Sequence, residues 1–368
     1  MTNMLKTLTL IVVVLVIGPS AQSQPAEKVK LITSTGLEDF VKSLNDNGKL
    51  GYRLDKSLNY GGEGPTQSYA AVLRLDPPNK YEYDWLSSPD KKLLEGRLNT
   101  QAKKGLNLAN VYAITYCSSG PNDEPANPTE SLIFRLNKGD AFLLERRNGE
   151  TEQTKEYKVF VNKVRLGDSA EKNIQSAIDD AALQGFRPVK ILFARQGLLD
   201  FSVSVVVEKN LVGDNSSKIE YRFLKKTSGL PKDMNELAAQ GFRFISGRRV
   251  GMVGMALLEK RASDGTTYTM IEEKKYAKEF DKTVALGNSY QAVMTGDLTC
   301  GSTEPENERL VFAQNSANEK HEYKVITMSF KNGSADSESL NQFQKLLADG
   351  YQVKDLFYAG GFNVIFEK

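Results

Sequence analysis

Histidine and cysteine are nearly absent from this 368-residue chain, and their scarcity excludes several kinds of active site. His321 is the one histidine, and the sequence shows no serine or cysteine nucleophile paired with it. The two cysteines, Cys117 and Cys300, are 183 positions apart, which is not the spacing of a zinc cluster. No glycine-rich phosphate loop ending in Gly-Lys-Ser or Gly-Lys-Thr occurs. The sequence therefore predicts no cofactor and no metal site.

A strong charge imbalance is also missing. Lysine and arginine number 48 against 46 aspartates and glutamates, so the formal net charge is +2. Proteins that bind nucleic acid usually carry a strongly basic face, and this balance argues against such a partner. The contents of 40% hydrophobic and 26% charged residues are ordinary for a globular protein. Because 368 residues exceed the usual size of one hydrophobic core, we expect two or more folding units.

The apolar run at the N-terminus is too short for a transmembrane helix. Lys6 precedes an apolar run at 8–17, and the small residues Ala21 and Ser23 follow it in the pattern of a cleavage site. About ten residues span roughly 15 Å as a helix, half of a bilayer core, which favours a signal peptide (1–23) over an anchor. We predict an exported protein, periplasmic or extracellular, with no stable membrane insertion after cleavage.

What the sequence does contain is a repeated phrase in which a helix pattern ends at a glycine and a strand pattern follows. The phrase reads MNELAAQGFRFI at 234–245 and FQKLLADGYQV at 343–353. A helix commonly ends with a residue in the left-handed conformation, which glycine adopts without strain, and a following apolar residue packs back onto the last turn. Six glycines are predicted to have this role: Gly51, Gly105, Gly185, Gly241, Gly287 and Gly350.

Each copy of the phrase lies within a pattern of strand, helix, strand, strand. The helices have apolar residues at i, i+3, i+4 and i+7, and the strands alternate apolar with polar residues. One helix on three strands is marginally stable alone, so neighbouring units are expected to share sheets or cores. The predicted fold class is α+β, with six tandem strand–helix–strand–strand units, largely antiparallel sheets and helices packed on one face.

The clearest copies resemble a small bacterial domain family of unknown function. That family has a Tyr-Lys-Val strand, a helix containing Leu-Asn, a Gly-aromatic helix end and a closing strand with a basic end. The corresponding segments here are Tyr221-Arg222-Phe223, Met234-Asn235-Glu236-Leu237, Gly241-Phe242 and Leu258-Glu259-Lys260-Arg261. The family favours tryptophan after the glycine, where this chain has phenylalanine or tyrosine. The resemblance covers about half of the chain, and it implies a fold but no catalytic residues.

A duplication is superimposed on the repeats. Copies three and six both contain Glu-Tyr-Lys-Val, and copies two and five share a longer polar insertion. This insertion reads CSSGPNDEPANPTESLIF from Cys117 and CGSTEPENERLVF from Cys300, and the two segments align with two short gaps. We therefore predict two halves of three units each, 24–212 and 217–368, with the polar loop at 210–218 as their boundary.

Two sets of residues are candidates for binding or for covalent linkage. Arg53, Arg187 and Arg243 follow the Gly-aromatic pair, and a guanidinium suits carboxylate or phosphate recognition. The alternative is that each arginine pairs with a glutamate of the repeat itself. Cys117 and Cys300 lie in equivalent loops of an exported protein and are a possible disulfide, unless duplication simply copied a free thiol.

Two functional hypotheses from different classes follow. The first is an exported, non-catalytic repeat protein that presents a binding surface for an envelope protein, a glycan or a small molecule. The alternative is an extracytoplasmic hydrolase that uses paired carboxylates, because such enzymes need no histidine.

Overall fold

The computed structural model describes residues 28–60, 67–87, 91–117, 136–165, 170–195, 200–212, 219–250, 253–261, 265–272, 275–294, 297–298, 305–306, 309–314, 321–331 and 334–368. Within these ranges the chain forms six helices and six three-stranded antiparallel sheets. Each sheet and one helix make up a unit, and every unit has the predicted order of strand, helix, strand, strand. The α+β class and the tandem units are therefore confirmed. The predicted signal peptide (1–23) lies outside the described residues.

The elements of the first three units follow in chain order. Unit 1 comprises β1 (Val29–Thr35), α1 (Leu37–Gly48), β2 (Tyr52–Tyr60) and β3 (Ser68–Leu75). Unit 2 comprises β4 (Tyr81–Ser87), α2 (Lys91–Ala102), β5 (Asn107–Cys117) and β6 (Leu136–Arg147). Unit 3 comprises β7 (Lys155–Arg165), α3 (Ala170–Leu183), β8 (Arg187–Arg195) and β9 (Asp200–Asn210).

The last three units have the same order, with two short strand pairs added. Unit 4 comprises β10 (Tyr221–Lys226), α4 (Leu230–Ala239), β11 (Phe242–Val250) and β12 (Val253–Lys260). Unit 5 comprises β13 (Thr267–Glu272), α5 (Tyr276–Ala285), β14 (Ser289–Met294), the pair β15 (Asp297–Leu298) and β16 (Pro305–Glu306), and β17 (Arg309–Gln314). Unit 6 comprises β18 (Tyr323–Met328), the pair β19 (Phe330–Lys331) and β20 (Ser334–Ala335), α6 (Ser337–Ala348), β21 (Gln352–Tyr358) and β22 (Phe362–Glu367).

All six predicted glycines end their helices in the left-handed conformation. Their φ values lie between 80° and 91°. After α2 the glycine is required for a second reason, because a Cβ on Gly105 would lie 2.3 Å from the main-chain oxygen of Glu150. The local chemistry of the helix end therefore explains why the chain repeats this phrase.

In every sheet the last strand of the unit is central, and it is buried on both faces. The order in unit 1 is β1-β3-β2, and the other five units have the same order. Residues 69–73 of β3 are all 0–1% exposed. Ala71 and Leu73 pack with α1, whereas Ala70 and Val72 pack with α6. In unit 1, therefore, α1 packs on one face of the central strand and α6 packs on the other face.

The units close into a ring because each helix lies between its own sheet and the sheet of the next unit. The apolar core around each of α1 to α5 includes residues of the following unit, and the core around α6 includes residues of unit 1. The strands that follow the glycines form the inner edge of the ring. There β2 lies against β5, β8 against β11, β11 against β14 and β14 against β21, while β21 lies against β2. We call the junction of units 6 and 1 the seam.

An asparagine in the helix fastens several units to their neighbours. The side-chain amide of Asn45 in α1 donates to the main-chain oxygen of Tyr83 (2.9 Å), and the Tyr83 N–H donates to the Asn45 Oδ1 (2.8 Å). Asn99 and Asn235, at the equivalent helix positions, bond the outer strands of units 3 and 5 in the same way. Each asparagine therefore satisfies both main-chain groups of an edge residue that has no strand partner on that side.

Two apolar cores lie wholly within each predicted half, and further apolar contacts cross the division between the halves. One apolar core joins Ile174 and Ile178 of α3 to Phe223 and Leu257 of unit 4, and so spans the two halves. The division at 210–218 stays a prediction: that the halves arose by duplication, and that each of them folds alone.

Candidate functional site

A cavity of about 650 Å³ lies on the axis of the ring, and we call it the axial cavity. It is lined by inner strands of five units, namely β2, β5, β8, β14 and β21, together with residues of β4, β6 and β7 and of the loops before β4 and β7. Cavities of this size accommodate small molecules, which makes it the first candidate for a binding site.

A β-bulge in every inner strand directs side chains towards the axis. In each unit the pairing with the central strand shifts at the residue four positions after the helix-ending glycine. A bulge bends its strand and changes the direction of the following side chain. The six residues after the bulges are Lys56, Asn110, Lys190, Ser246, Ala292 and Asp355. All of them except Ser246 line the axial cavity.

The cavity wall is strongly polar but balanced in charge. Five cations and five carboxylates line it, and several of them are held in ion pairs. The Arg53 Nη2 lies 2.9 Å from the Glu145 Oε1 of the next unit, and the Arg147 Nη2 lies 2.8 Å from Glu150 Oε1. These two pairs neutralise two of the cations and two of the carboxylates in the wall.

Lys56 and Asp355 are the charged groups that the bulges of units 1 and 6 direct into the cavity. Loss of hydration raises the pKa of the Asp355 carboxyl, although it accepts hydrogen bonds from the Tyr290 hydroxyl (2.7 Å) and the Leu356 N–H (2.9 Å). No carboxylate among the described residues lies within 4.0 Å of the Lys56 amine, whose charge acts on Asp355 from a longer range. Lys56 is therefore the cation best placed to meet an anionic group.

The three predicted arginines do not converge on one site. Arg53 lines the axial cavity beside Glu145. Arg187 pairs with Glu208 on the adjacent strand (2.7 Å), as expected if the repeat's own glutamate is its partner. Arg243 donates to the main-chain oxygens of Ala238 in α4 and of Phe242 in β11. Their predicted role in ligand binding stays untested.

The predicted disulfide falls outside the described residues, since Cys300 and the side chain of Cys117 are not described. The described neighbours are close, however, because β15, which ends two residues before Cys300, lies against β5, which ends at Cys117. His321 lies 3.5 Å from Glu367 at the start of β18, away from the axial cavity.

Sequence reasoning did not identify the residues after the bulges, although a signal for them exists. Each lies five positions after a glycine that the repeat analysis had already found. The constant spacing could have marked them as structurally equivalent. Their convergence on the axis follows from ring closure, which is a contact between the first and last units.

Comparison with models of known protein families yields no match, and neither does comparison with characterised proteins or with solved structures. The resemblance to a small bacterial domain family therefore stays a prediction. Among the described residues, no helix has the length and apolarity needed to cross a membrane. The same residues contain no group of three or more histidine, cysteine, aspartate or glutamate side chains arranged to hold a metal ion.

Proposed function

We propose that this chain is an exported ring protein that binds a small polar molecule with an anionic group in the axial cavity. The observation that carries the proposal is the set of six equivalent bulges, which direct Lys56, Asn110, Lys190 and Asp355 towards one cavity. Lysine amines suit an anionic group, whereas Asn110 and Asp355 suit hydroxyl or amine groups of the same ligand. Because the chain is predicted to be exported, we expect the ligand to be a glycan fragment or a small metabolite of the cell envelope.

A ligand screen with matched lysine variants tests this proposal. Purified protein is screened against envelope glycans and anionic metabolites by thermal shift, and the hits are titrated by calorimetry. We expect Lys56→Ala to weaken the hits at least tenfold, because it removes a charge from the cavity. Lys232→Ala is the control, since that side chain is 80% exposed on α4. Hits that bind the Lys56 variant as tightly as the wild type would place the site elsewhere.

Asp355 supports the second candidate function, an extracytoplasmic hydrolase that uses carboxylates. A carboxyl group with a raised pKa can hold a proton and act as a general acid, and the cavity wall also contains other carboxyl groups, such as that of Glu145. In that case Asp355→Asn abolishes hydrolysis of a bound glycan but retains its binding. Equal turnover by Asp355→Asn and the wild type would exclude this role for Asp355.

A further inference from the structure

Tyrosine hydroxyls close four of the six junctions between units. The main-chain N–H three positions after the helix-ending glycine donates to a tyrosine in the outer strand of the next unit. Leu54 donates to the Tyr83 hydroxyl at 2.8 Å, and Leu108 donates to the Tyr157 hydroxyl at 2.8 Å. The other two pairs are Phe244 with Tyr268 (2.8 Å) and Tyr290 with Tyr323 (3.1 Å). Between units 3 and 4 the equivalent residue is Pro188, which has no N–H to donate.

The seam has the main-chain N–H but not the tyrosine. The equivalent N–H is that of Val353 in β21, three positions after Gly350. Val29 of β1 is the register equivalent of Tyr83 in unit 2. Val29 pairs with Arg74 and Tyr83 pairs with Glu145, and these two partners occupy the same position in the central strands of their units. A separate cavity of about 580 Å³ lies here, lined by Val29, Val353 and the C-terminal part of α6. We call it the seam cavity.

The charge beside this cavity is also reversed relative to four of the other five units. The central-strand residue opposite the tyrosine is a glutamate in units 2, 3, 4 and 6, and in unit 1 it is Arg74. Glu145 accepts a hydrogen bond from the Tyr83 hydroxyl at 3.0 Å, so a glutamate at this position pairs with a hydrogen-bond donor. Arg74 suits an acceptor, and Lys28 adds a second positive charge to the lining. Among the described residues that line the seam cavity there is no aspartate or glutamate.

We propose that the seam cavity binds a small aromatic carboxylate. The aromatic ring takes the place of the missing tyrosine ring, against Val29, Leu347 and the other apolar side chains of the wall. One carboxylate oxygen accepts the N–H of Val353, as the tyrosine oxygen does elsewhere, and the other faces Arg74. Arg74 already pairs with Asp55 at 2.8 Å, but a guanidinium has five N–H donors and can serve both carboxylates.

Benzoate is the probe for this site, and toluene is the matched probe without the charge. Binding to the full-length mature chain is measured by ligand-observed NMR titration. We expect benzoate to bind with at least tenfold higher affinity than toluene, since one charge-assisted hydrogen bond is worth about that factor. Absence of benzoate binding, or equal affinity for toluene, would overturn the proposal.

A substitution at the seam then tests whether benzoate binds in the seam cavity and not in the axial cavity. Val29→Tyr introduces the side chain found in the other junctions, so we expect loss of benzoate binding together with a higher melting temperature. Val212→Tyr is the control, because Val212 is 72% exposed and lies outside the cavity lining. Unchanged benzoate affinity in a folded Val29→Tyr variant would contradict the proposal.

Arg74→Glu tests the charge argument independently. It restores the glutamate of the other units, so benzoate affinity should fall at least tenfold while p-cresol, the side chain of tyrosine as a free phenol, becomes the preferred probe. A folded variant that still prefers benzoate would contradict the assignment of Arg74.

Discussion

The same substitution at two glycines of unit 2 should have opposite effects on stability. Gly96 lies on the exposed side of α2, and a Cβ there meets nothing within 4 Å, so Gly96→Ala should stabilise the chain by about 1 kcal/mol. Gly105 has a φ of 80°, and its Cβ would meet the Glu150 main-chain oxygen. Gly105→Ala should therefore destabilise by at least about 2 kcal/mol. Urea unfolding of both variants decides, and equal midpoints would contradict the assigned helix end.

Asp355 gives a prediction about pH. Its pKa in the folded chain is raised above the usual 3.8, so the folded state binds this proton more tightly than the unfolded state. The wild type therefore loses stability as pH rises from the unfolded pKa through the folded one. An asparagine keeps an oxygen for the Tyr290 hydroxyl but carries no charge. Asp355→Asn should thus be more stable than the wild type at pH 7, with a difference that disappears below about pH 3.5. A difference independent of pH would contradict the raised pKa.

At the scale of the elements, two asparagines of α1 form a matched pair. Asn45 bonds both main-chain groups of Tyr83 in the next unit, whereas the Asn47 amide donates to the Ser43 oxygen within α1 (2.9 Å). Asn45→Ala should cost about 2–3 kcal/mol, because two main-chain groups of an edge strand lose their partners. Asn47→Ala should be within about 0.5 kcal/mol of the wild type. Equal losses of stability in thermal unfolding would mean that the two hydrogen bonds between Asn45 and Tyr83 contribute little.

The elements could be predicted from the sequence to different extents, for a physical reason. Helix ends such as Gly241 were predictable because a left-handed residue is a local requirement of the chain. The strand order was not, since the central position of β3 depends on pairing across the unit. Arg53 was a reasonable candidate and does line the axial cavity, but Lys56 was missed because its direction depends on a bulge. The absence of a tyrosine at the seam becomes apparent only when the registers of the units are compared.

At the scale of the whole molecule, ring closure is the property that no single unit has. Ala70 and Val72 of unit 1 are fully buried, yet the helix that covers them is α6, more than 260 residues later in the chain. A contact this distant in sequence costs loop-closure entropy, which is offset here by a complete apolar core. The first and last units therefore stabilise each other, and both should lose stability when the seam is opened.

Separate expression of the halves 24–212 and 217–368 tests this closure. Each half exposes two surfaces that the ring buries, one at the seam and one between α3 and unit 4. Mixed in equal amounts, the halves should form a 1:1 complex that melts above either half alone, because association buries both surfaces. Light scattering and calorimetry measure the stoichiometry and the melting temperature.

Ala70→Asp in the first half should weaken the complex, since it places a charge in the seam core, whereas the exposed Lys49→Asp should not. Halves that melt as monomers at the temperature of the full chain would show that closure adds no stability, and the predicted division would then mark two autonomous domains.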